Sequence, residues 1–294
     1  MPDVFSLRAD TTPRSEPSEG ARAYSYFSPD TDVTAADTAL LIEEIPLAIL
    51  CNGVSHAVMM VSPLDLEDFI TGFALTEGLI ERNSSLPAVS IRHQQQPLPA
   101  IHADIRLPEA QFRRFLQQQR SVRRGASGCG LCGSESFHQV YPDLSPLPAA
   151  PLPALKTLQQ LRDTLSRCQQ LGQDAGAIHA ALLLSADGEP VLCREDIGRH
   201  NALDKVIGAA MQQSLELHGC SVVMSSRCST ELILKAVRSG LTTLIHLSAP
   251  SALAVELARR YNLNLIHLPR RDAARAYHLQ HPQPDAAPFL PEYL

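Results

Sequence analysis

Between Ser221 and Leu268 the chain alternates short apolar, β-branched runs with amphipathic stretches of helical spacing. The spacing predicts strand Ser221–Ser225, helix Thr230–Arg238, strand Thr242–Leu247, helix Ser251–Tyr261 and strand Asn264–Leu268. A βαβαβ order forces a parallel sheet with right-handed crossovers and helices on its faces. Such a sheet also says where a ligand should sit. The crevice lies outside the carboxyl ends of the strands, where helix N-termini offer free N–H groups and the positive end of their dipoles. Here those ends carry Ser225-Ser226-Arg227-Cys228-Ser229 and Ser248-Ala249-Pro250-Ser251. Both are short and hydroxyl-rich, suited to a phosphate, although the same hydroxyls cap ordinary helices.

Upstream, Leu155, Leu158, Leu161, Leu165, Cys168 and Leu171 recur at helical spacing, and Gly172 is expected to close that helix. Two strands, 179–185 and 190–194, flank the Asp187-Gly188 hairpin signal, and a helix is expected from about Asn201 to Leu217, stopping at Gly219. The turn between them, Glu195-Asp196-Ile197-Gly198-Arg199-His200-Asn201, holds more polar chemistry than a helix start needs. Each residue alone has a structural reading as a cap or solvated charge. Together, a carboxylate, a guanidinium, an imidazole and an amide can bond a base edge and a phosphate at once.

In the first half, residues 1 to about 35 are rich in Ser, Thr, Pro, Asp and Glu without apolar periodicity, which predicts a disordered arm. Order is expected from near Ala39. Two strands should flank the Asn52-Gly53 turn; Ser62 is read as the N-cap of a helix running to about Glu81, with Pro63 at its first position. Short β pieces at 89–91 and 101–107 and a helix at 109–119 follow. Prolines 142, 146, 148, 151 and 153 place a linker before the second domain. The expected division is therefore a disordered arm over 1–35, an N-terminal α+β domain over 36–140, a Pro-rich linker over 141–154 and an α/β domain over 155–294.

The N-terminal domain ends in Gly125-Ala-Ser-Gly-Cys129-Gly-Leu-Cys132-Gly, preceded by Arg120, Arg123 and Arg124. Guanidinium charge lowers a thiol pKa and glycines free the backbone, so Cys129 and Cys132 read as an exposed, reactive pair. A structural zinc site would need two further ligands at suitable spacing, and the sequence offers no second Cys-x-x-Cys or His pair. The single cysteines at 51, 168, 193, 220 and 228 read as small buried hydrophobes. No apolar run is long enough to span a bilayer and no signal-peptide core is present, so the expected setting is the cytoplasm, with thiols reduced. A net charge of -6 argues against broad nucleic-acid binding.

Cys129-Gly-Leu-Cys132-Gly, the run from Arg194 to Gly208, Ser226-Arg227 with Glu231, Ser248-Ala-Pro250, and Asn52-Gly53 with Thr76-Glu77-Gly78 resemble the FdhD/NarQ family of formate dehydrogenase accessory sulfurtransferases. The resemblance covers roughly residues 40–270. It implies a cytoplasmic homodimer with a cytidine-deaminase-like C-terminal domain of mixed or parallel sheet. It further implies a sulfurtransferase that takes persulfide sulfur from a cysteine desulfurase and passes it to the molybdenum bis(guanine dinucleotide) cofactor of formate dehydrogenase. On that resemblance Cys129 and Cys132 carry sulfur. Arg199, His200, Asn201, Ser226, Arg227 and Ser248 hold the nucleotide portions, with GDP as a possible mimic and no structural metal. Deamination itself is disfavoured, because His179 is followed by Ala180 and Ala181 where a zinc deaminase needs His-x-Glu. The sequence departs from the family in having Ser226 rather than Gly before Arg227, and in the segment Ile266–Arg271, so Arg270 and Arg271 are not assigned to the site. Two other classes use part of this equipment: a dithiol–disulfide oxidoreductase needs the thiols without the pocket, and a cofactor chaperone needs the pocket without the thiols.

Overall fold

The computed structural model describes residues 19–27, 36–122, 142–176 and 178–280. Its centre is a mixed six-stranded sheet. The strands β7 (His179–Leu184), β8 (Pro190–Asp196), β9 (Ser221–Met224), β10 (Thr243–His246), β11 (Asn264–His267) and β12 (Arg275–His278) lie in the order β12-β11-β10-β9-β7-β8. β9, β10 and β11 run parallel, as the βαβαβ pattern requires, while β7 is antiparallel to β9 and to β8. β12 was not expected; it adds an antiparallel edge, offset by a bulge at Leu265/Ile266.

Alternation along these strands buries both faces. Ala180, Leu182, Leu184, Val223, Ile245 and Ile266 pack on one side beneath α3 (Leu155–Cys168). Ala181, Leu183, Val222, Leu244 and Leu265 pack on the other beneath α5 (Arg199–Gln212), α6 (Thr230–Ser239) and α7 (Ala252–Arg260). α3 ends at Cys168, before the expected stop at Gly172. The cause is Glu195, whose carboxylate accepts the N–H groups of Gln170, Leu171 and Gly172 and starts the one-turn helix α4 (Leu171–Ala175).

The first half forms a second sheet, β4-β3-β6-β5, from β3 (Ile45–Cys51), β4 (Val54–Val61), β5 (Ala88–Gln94) and β6 (Ala100–Arg106), with α2 (Glu109–Val122) following β6. The β3–β4 turn is made by Asn52 (φ 48°) and Gly53 (φ 80°), both left-handed as a tight hairpin demands. A separate ribbon pairs β1 (Ala21–Phe27) with β2 (Ala36–Ile42). Residues 21–27 are therefore a strand, against the expectation of a disordered arm. Their Tyr24 and Tyr26 supply the β propensity that the surrounding polar composition hides.

Helix α1 (Leu66–Thr76) has Asp65, in the left-handed region, at its N-cap position with no side-chain capping bond, and Ser62 is not its cap. Ser62 is wholly buried and its hydroxyl instead accepts the N–H of Ile197. α1 crosses α5 at two glycines: a Cβ on Gly72 would lie 1.9 Å from the Asp204 carbonyl oxygen, and one on Gly208 would lie 1.8 Å from that of Asp68. Phe69, Ile70 and Phe73 of α1 thus enter the same apolar cluster as Leu203, Val206 and Ile207 of α5. Two buried lysines hold ion pairs beside the crossing. Lys205 Nζ meets Asp196 at 2.7 Å with both side chains fully buried, and Lys235 Nζ meets Asp204 and Glu77 at 2.8 Å each. Burial alone would lower the Lys235 pKa; Asp204 and Glu77 outweigh it and push it up.

Candidate functional site at the carboxyl edge of the sheet

β7 runs opposite to β9, so its first residue, His179, arrives at the same edge as the carboxyl ends of β9, β10 and β11. β8 ends there too, with Asp196 facing His179 in register. After Asp196 the chain turns at Gly198, the N-cap of α5, and presents Arg199 and His200 in the first turn. From β9 the loop 225–229 leads to Ser229, the N-cap of α6. From β10 the loop 247–251 leads to Ser251, whose hydroxyl caps α7 by accepting the N–H of Ala254.

His200 Nε2 lies 2.8 Å from Glu231 Oε2 and 3.3 Å from Ser229 Oγ, and Ser229 Oγ donates to the same Glu231 oxygen at 3.1 Å. The hydrogen bond from His200 holds the Glu231 carboxyl below its ordinary range, with Arg199 adding to the effect. His179 is lowered by partial burial and by the nearby charges of Arg199 and His200. Arg199 and Arg227 form no ion pair with any described residue, and Arg227 is exposed. One edge therefore gathers two guanidinium groups, two imidazoles and the N-termini of three helices, a constellation matched to an anion.

Deeper in the same edge, His246 is fully buried on β10. Its Nδ1 lies 3.1 Å from the carbonyl oxygen of Ser226, which can only accept, so Nδ1 carries the proton and Nε2 is an acceptor. Nε2 has no partner among the described residues, nor has Nδ1 of the adjacent His267. Burial lowers the His246 pKa to about 4, so the ring is neutral at pH 7. No group of three or more His, Cys, Asp or Glu among the described residues is placed to hold a metal ion.

Not every residue expected to face a ligand does so. Asn201 is 2% exposed, and its amide donates to the Met60 carbonyl and to Asp196 Oδ1, tying the end of β4 to α5. It holds the turn, and Arg199 and His200 are what the turn displays. Ser226 is likewise buried, its hydroxyl donating to the Arg227 carbonyl. Ser248 is half-buried beyond β10. Cys129 and Cys132, with Arg123 and Arg124, lie outside the described residues. The remaining cysteines are poor thiolates. Burial pushes Cys51 up to about 12 and raises Cys168, Cys193, Cys220 and Cys228 as well. Glu231, quoted only in the family resemblance, and His246 also stand at this edge without having been expected as ligand residues, the first because it reads as a helix first-turn acid and the second because it ends an apolar strand.

The family profile described as FdhD/NarQ matches residues 42–282. The chain belongs to the FdhD/NarQ family. Relatives in that family include the sulfur carrier protein FdhD of Cupriavidus necator, 39% identical over 82% of each chain. That of Bordetella bronchiseptica is 40% identical over 83% of this chain and 87% of its own. The fold agrees as well. The crystal structure of a candidate formate dehydrogenase accessory protein from Desulfotalea psychrophila superposes with a TM-score of 0.63 at 21% identity, covering 90% of this chain and 97% of that one. The FdhD/NarQ match spans both sheets and the whole carboxyl edge. Among the described residues no helix is long and apolar enough to cross a membrane.

Proposed function

We propose that this FdhD/NarQ member is a sulfur carrier in formate dehydrogenase maturation. In this reading a thiolate at Cys129 or Cys132 attacks the terminal sulfur of a cysteine desulfurase persulfide. A new S–S bond forms on the carrier and the desulfurase cysteine leaves as its thiolate. The carrier then passes the terminal sulfur to the molybdenum bis(guanine dinucleotide) cofactor, which is its cargo; the carrier S–S bond breaks and its cysteine leaves as the thiolate. The observation that supports this best is the carboxyl edge, where the guanidinium groups of Arg199 and Arg227, beside His179 and His200, meet three helix N-termini. Diphosphates of a dinucleotide match such donors.

Reach supports the same reading. Pro142 is held where Tyr261 Oη donates to its carbonyl at 2.6 Å, past the C-terminal end of α7 and so at the amino edge of the sheet. The nine residues of α7 span about 14 Å. The stretch from Cys132 to Pro142, fully extended, covers up to roughly 35 Å. A chain of that length is long enough to return from the amino edge to the carboxyl edge.

Intact-protein mass spectrometry after incubation with a cysteine desulfurase and cysteine tests the relay. A sulfur-sized mass gain that disappears in Cys129→Ala or Cys132→Ala is expected. If both variants gain the mass as the wild type does, or if neither loses formate dehydrogenase activation in cells, the relay is wrong. Nucleotide binding with no sulfur gain on any form would favour a cofactor chaperone.

A further inference from the structure

On the first sheet, Leu47, Ile49 and Ile105 turn inward to the core, so the alternate residues of the same strands face outward. On β3 and β4 the outward residues include Pro46, Ala48, Leu50, Val58 and Met60, all apolar, with Val58 65% and Met60 45% exposed. On β5 and β6 they include Ser90, Arg92, Gln94, His102, Asp104 and Arg106. The registers join the two halves in one row, Val58–Ala48–His102–Arg92. A sheet face that meets only water alternates to polar residues, and half of this one is instead a contiguous apolar patch, the mark of an interaction surface. At the polar end of the row lies a cavity of about 430 Å³, lined by Leu50, Gly53, Ser90, Arg92, His102 and Asp104. Both oxygens of the nearly buried Asp104 are engaged, Oδ1 by the Gly53 N–H at 2.9 Å and Oδ2 by Arg106 at 3.3 Å. The side chains of Ser90, Arg92 and His102 are exposed and have no hydrogen bond or ion pair with any described residue. The uncommitted guanidinium is built to grip a planar anion.

We propose that this face docks an acidic segment of a partner protein, which seats a carboxylate in the cavity on Arg92 and lays an apolar side chain on Val58 and Met60. Charge decides the occupant. The chain has a net charge of -6, yet this face holds Arg92 and Arg106 against one carboxylate that is already engaged. The same face of a second copy cannot supply the missing anion. Two-fold pairing about an axis along the strands sets β5 on β4, whose outward Val58 and Met60 are apolar; an axis across the strands sets β5 on β5, whose outward residues are Ala88, Ser90, Arg92 and Gln94. Neither arrangement brings a carboxylate to Arg92. Three strand spacings separate Arg92 from Val58, about 14 Å, which an extended segment covers in about four residues. The segment therefore carries Val, Leu or Ile about four residues from Glu or Asp. Helices α1 and α5 lie between the two sheets, so a partner docked here does not compete with a ligand at the carboxyl edge.

Fluorescence-anisotropy titration of the full-length protein with a labelled peptide of pattern Val-Ser-Ser-Ser-Glu tests it, against counterparts with Gln or Lys for Glu and with Ser for Val. A charge-assisted hydrogen bond gives about 10- to 100-fold discrimination, so the Glu peptide should bind tighter than the Gln peptide by about that factor. Arg92→Ala should abolish the difference, and Arg92→Glu should invert it, taking the Lys peptide and rejecting the Glu peptide. Val58→Ser should weaken the Val-bearing peptide and leave its Ser counterpart unchanged. Arg92 and Val58 are both exposed, and a thermal melt of each variant checks that it folds. Equal affinity for the Glu and Gln peptides overturns the proposal, as does equal affinity of the Glu peptide for wild type and Arg92→Ala, or no binding by any peptide. Free glutamate or inorganic phosphate binding as tightly as the Glu peptide would make the cavity a small-anion site and overturns the docking as well. The wild-type series decides the matter even if a variant folds poorly.

Discussion

His246 sits where a proton is costly. Its folded pKa of about 4 lies below the ordinary 6.5, because burial disfavours the charged ring. The unfolded chain therefore binds more protons than the folded one between those values. Its contribution to stability is complete above about pH 6.5, falls as pH drops towards 4, and amounts to about 3 kcal/mol. His267, lowered by burial too, acts in the same direction. Urea unfolding at pH 7, 5.5 and 4.5 should show this loss, and His246→Gln should flatten the curve relative to wild type over that window. An unchanged pH profile in the variant would mean the ring is not neutral in the folded state. At this scale the sequence was a partial guide to the site. Arg199 and His200 were readable because a charged pair has little reason to open a buried helix. Asn201 and Ser226 misled, since polar side chains look alike in sequence whether they face a ligand or, as here, the Met60 and Arg227 carbonyls.

The elements depend on one crossing more than on any other contact. Gly72 and Gly208 let α1 and α5 approach until each Cα faces the other helix's backbone. Gly208→Ala would place a methyl group against the Asp68 carbonyl, an atom of rigid backbone that cannot swing aside. The helices must separate, and with them the Thr76–Asp204–Lys235 cluster that spans the crossing. Overpacking of this kind should cost on the order of 3 kcal/mol and lower Tm by roughly 5–10 °C in a thermal melt followed by circular dichroism. A shift within 1–2 °C would show that the crossing can relax. Most elements were legible because periodicity survives burial, including the Asn52-Gly53 hairpin and the βαβαβ run. β12 was not: Arg275–His278 is four residues on an edge, with Arg275 and Ala276 exposed and no apolar alternation to mark it. Nor could the sequence show that Ser62 caps no helix, because its partner, the Ile197 N–H, lies far away in the chain.

For the whole molecule the consequence is that the two sheets share one core. The cluster that holds Leu47, Ile49 and Ile105 of the first sheet is continuous with Val222, Leu244 and Leu265 of the second, through α1 and α5. Residues 142–154, rich in proline, are also tied down. The Leu147 N–H donates to the Tyr261 carbonyl, and Asn262 donates to Leu147 in return. Unfolding should therefore be one cooperative event, with urea transitions coincident by circular dichroism and by tyrosine fluorescence. Amine chemistry offers an independent record of it. The chain has three lysines, at 156, 205 and 235; Lys156 is exposed, while Lys205 and Lys235 are closed inside their ion pairs. Among the lysines, an acylating reagent applied to the native protein should mark Lys156 alone, and Lys205 and Lys235 should acquire the mark together as the core opens. These buried ion pairs thereby act as a seal, whose breach a peptide map can date.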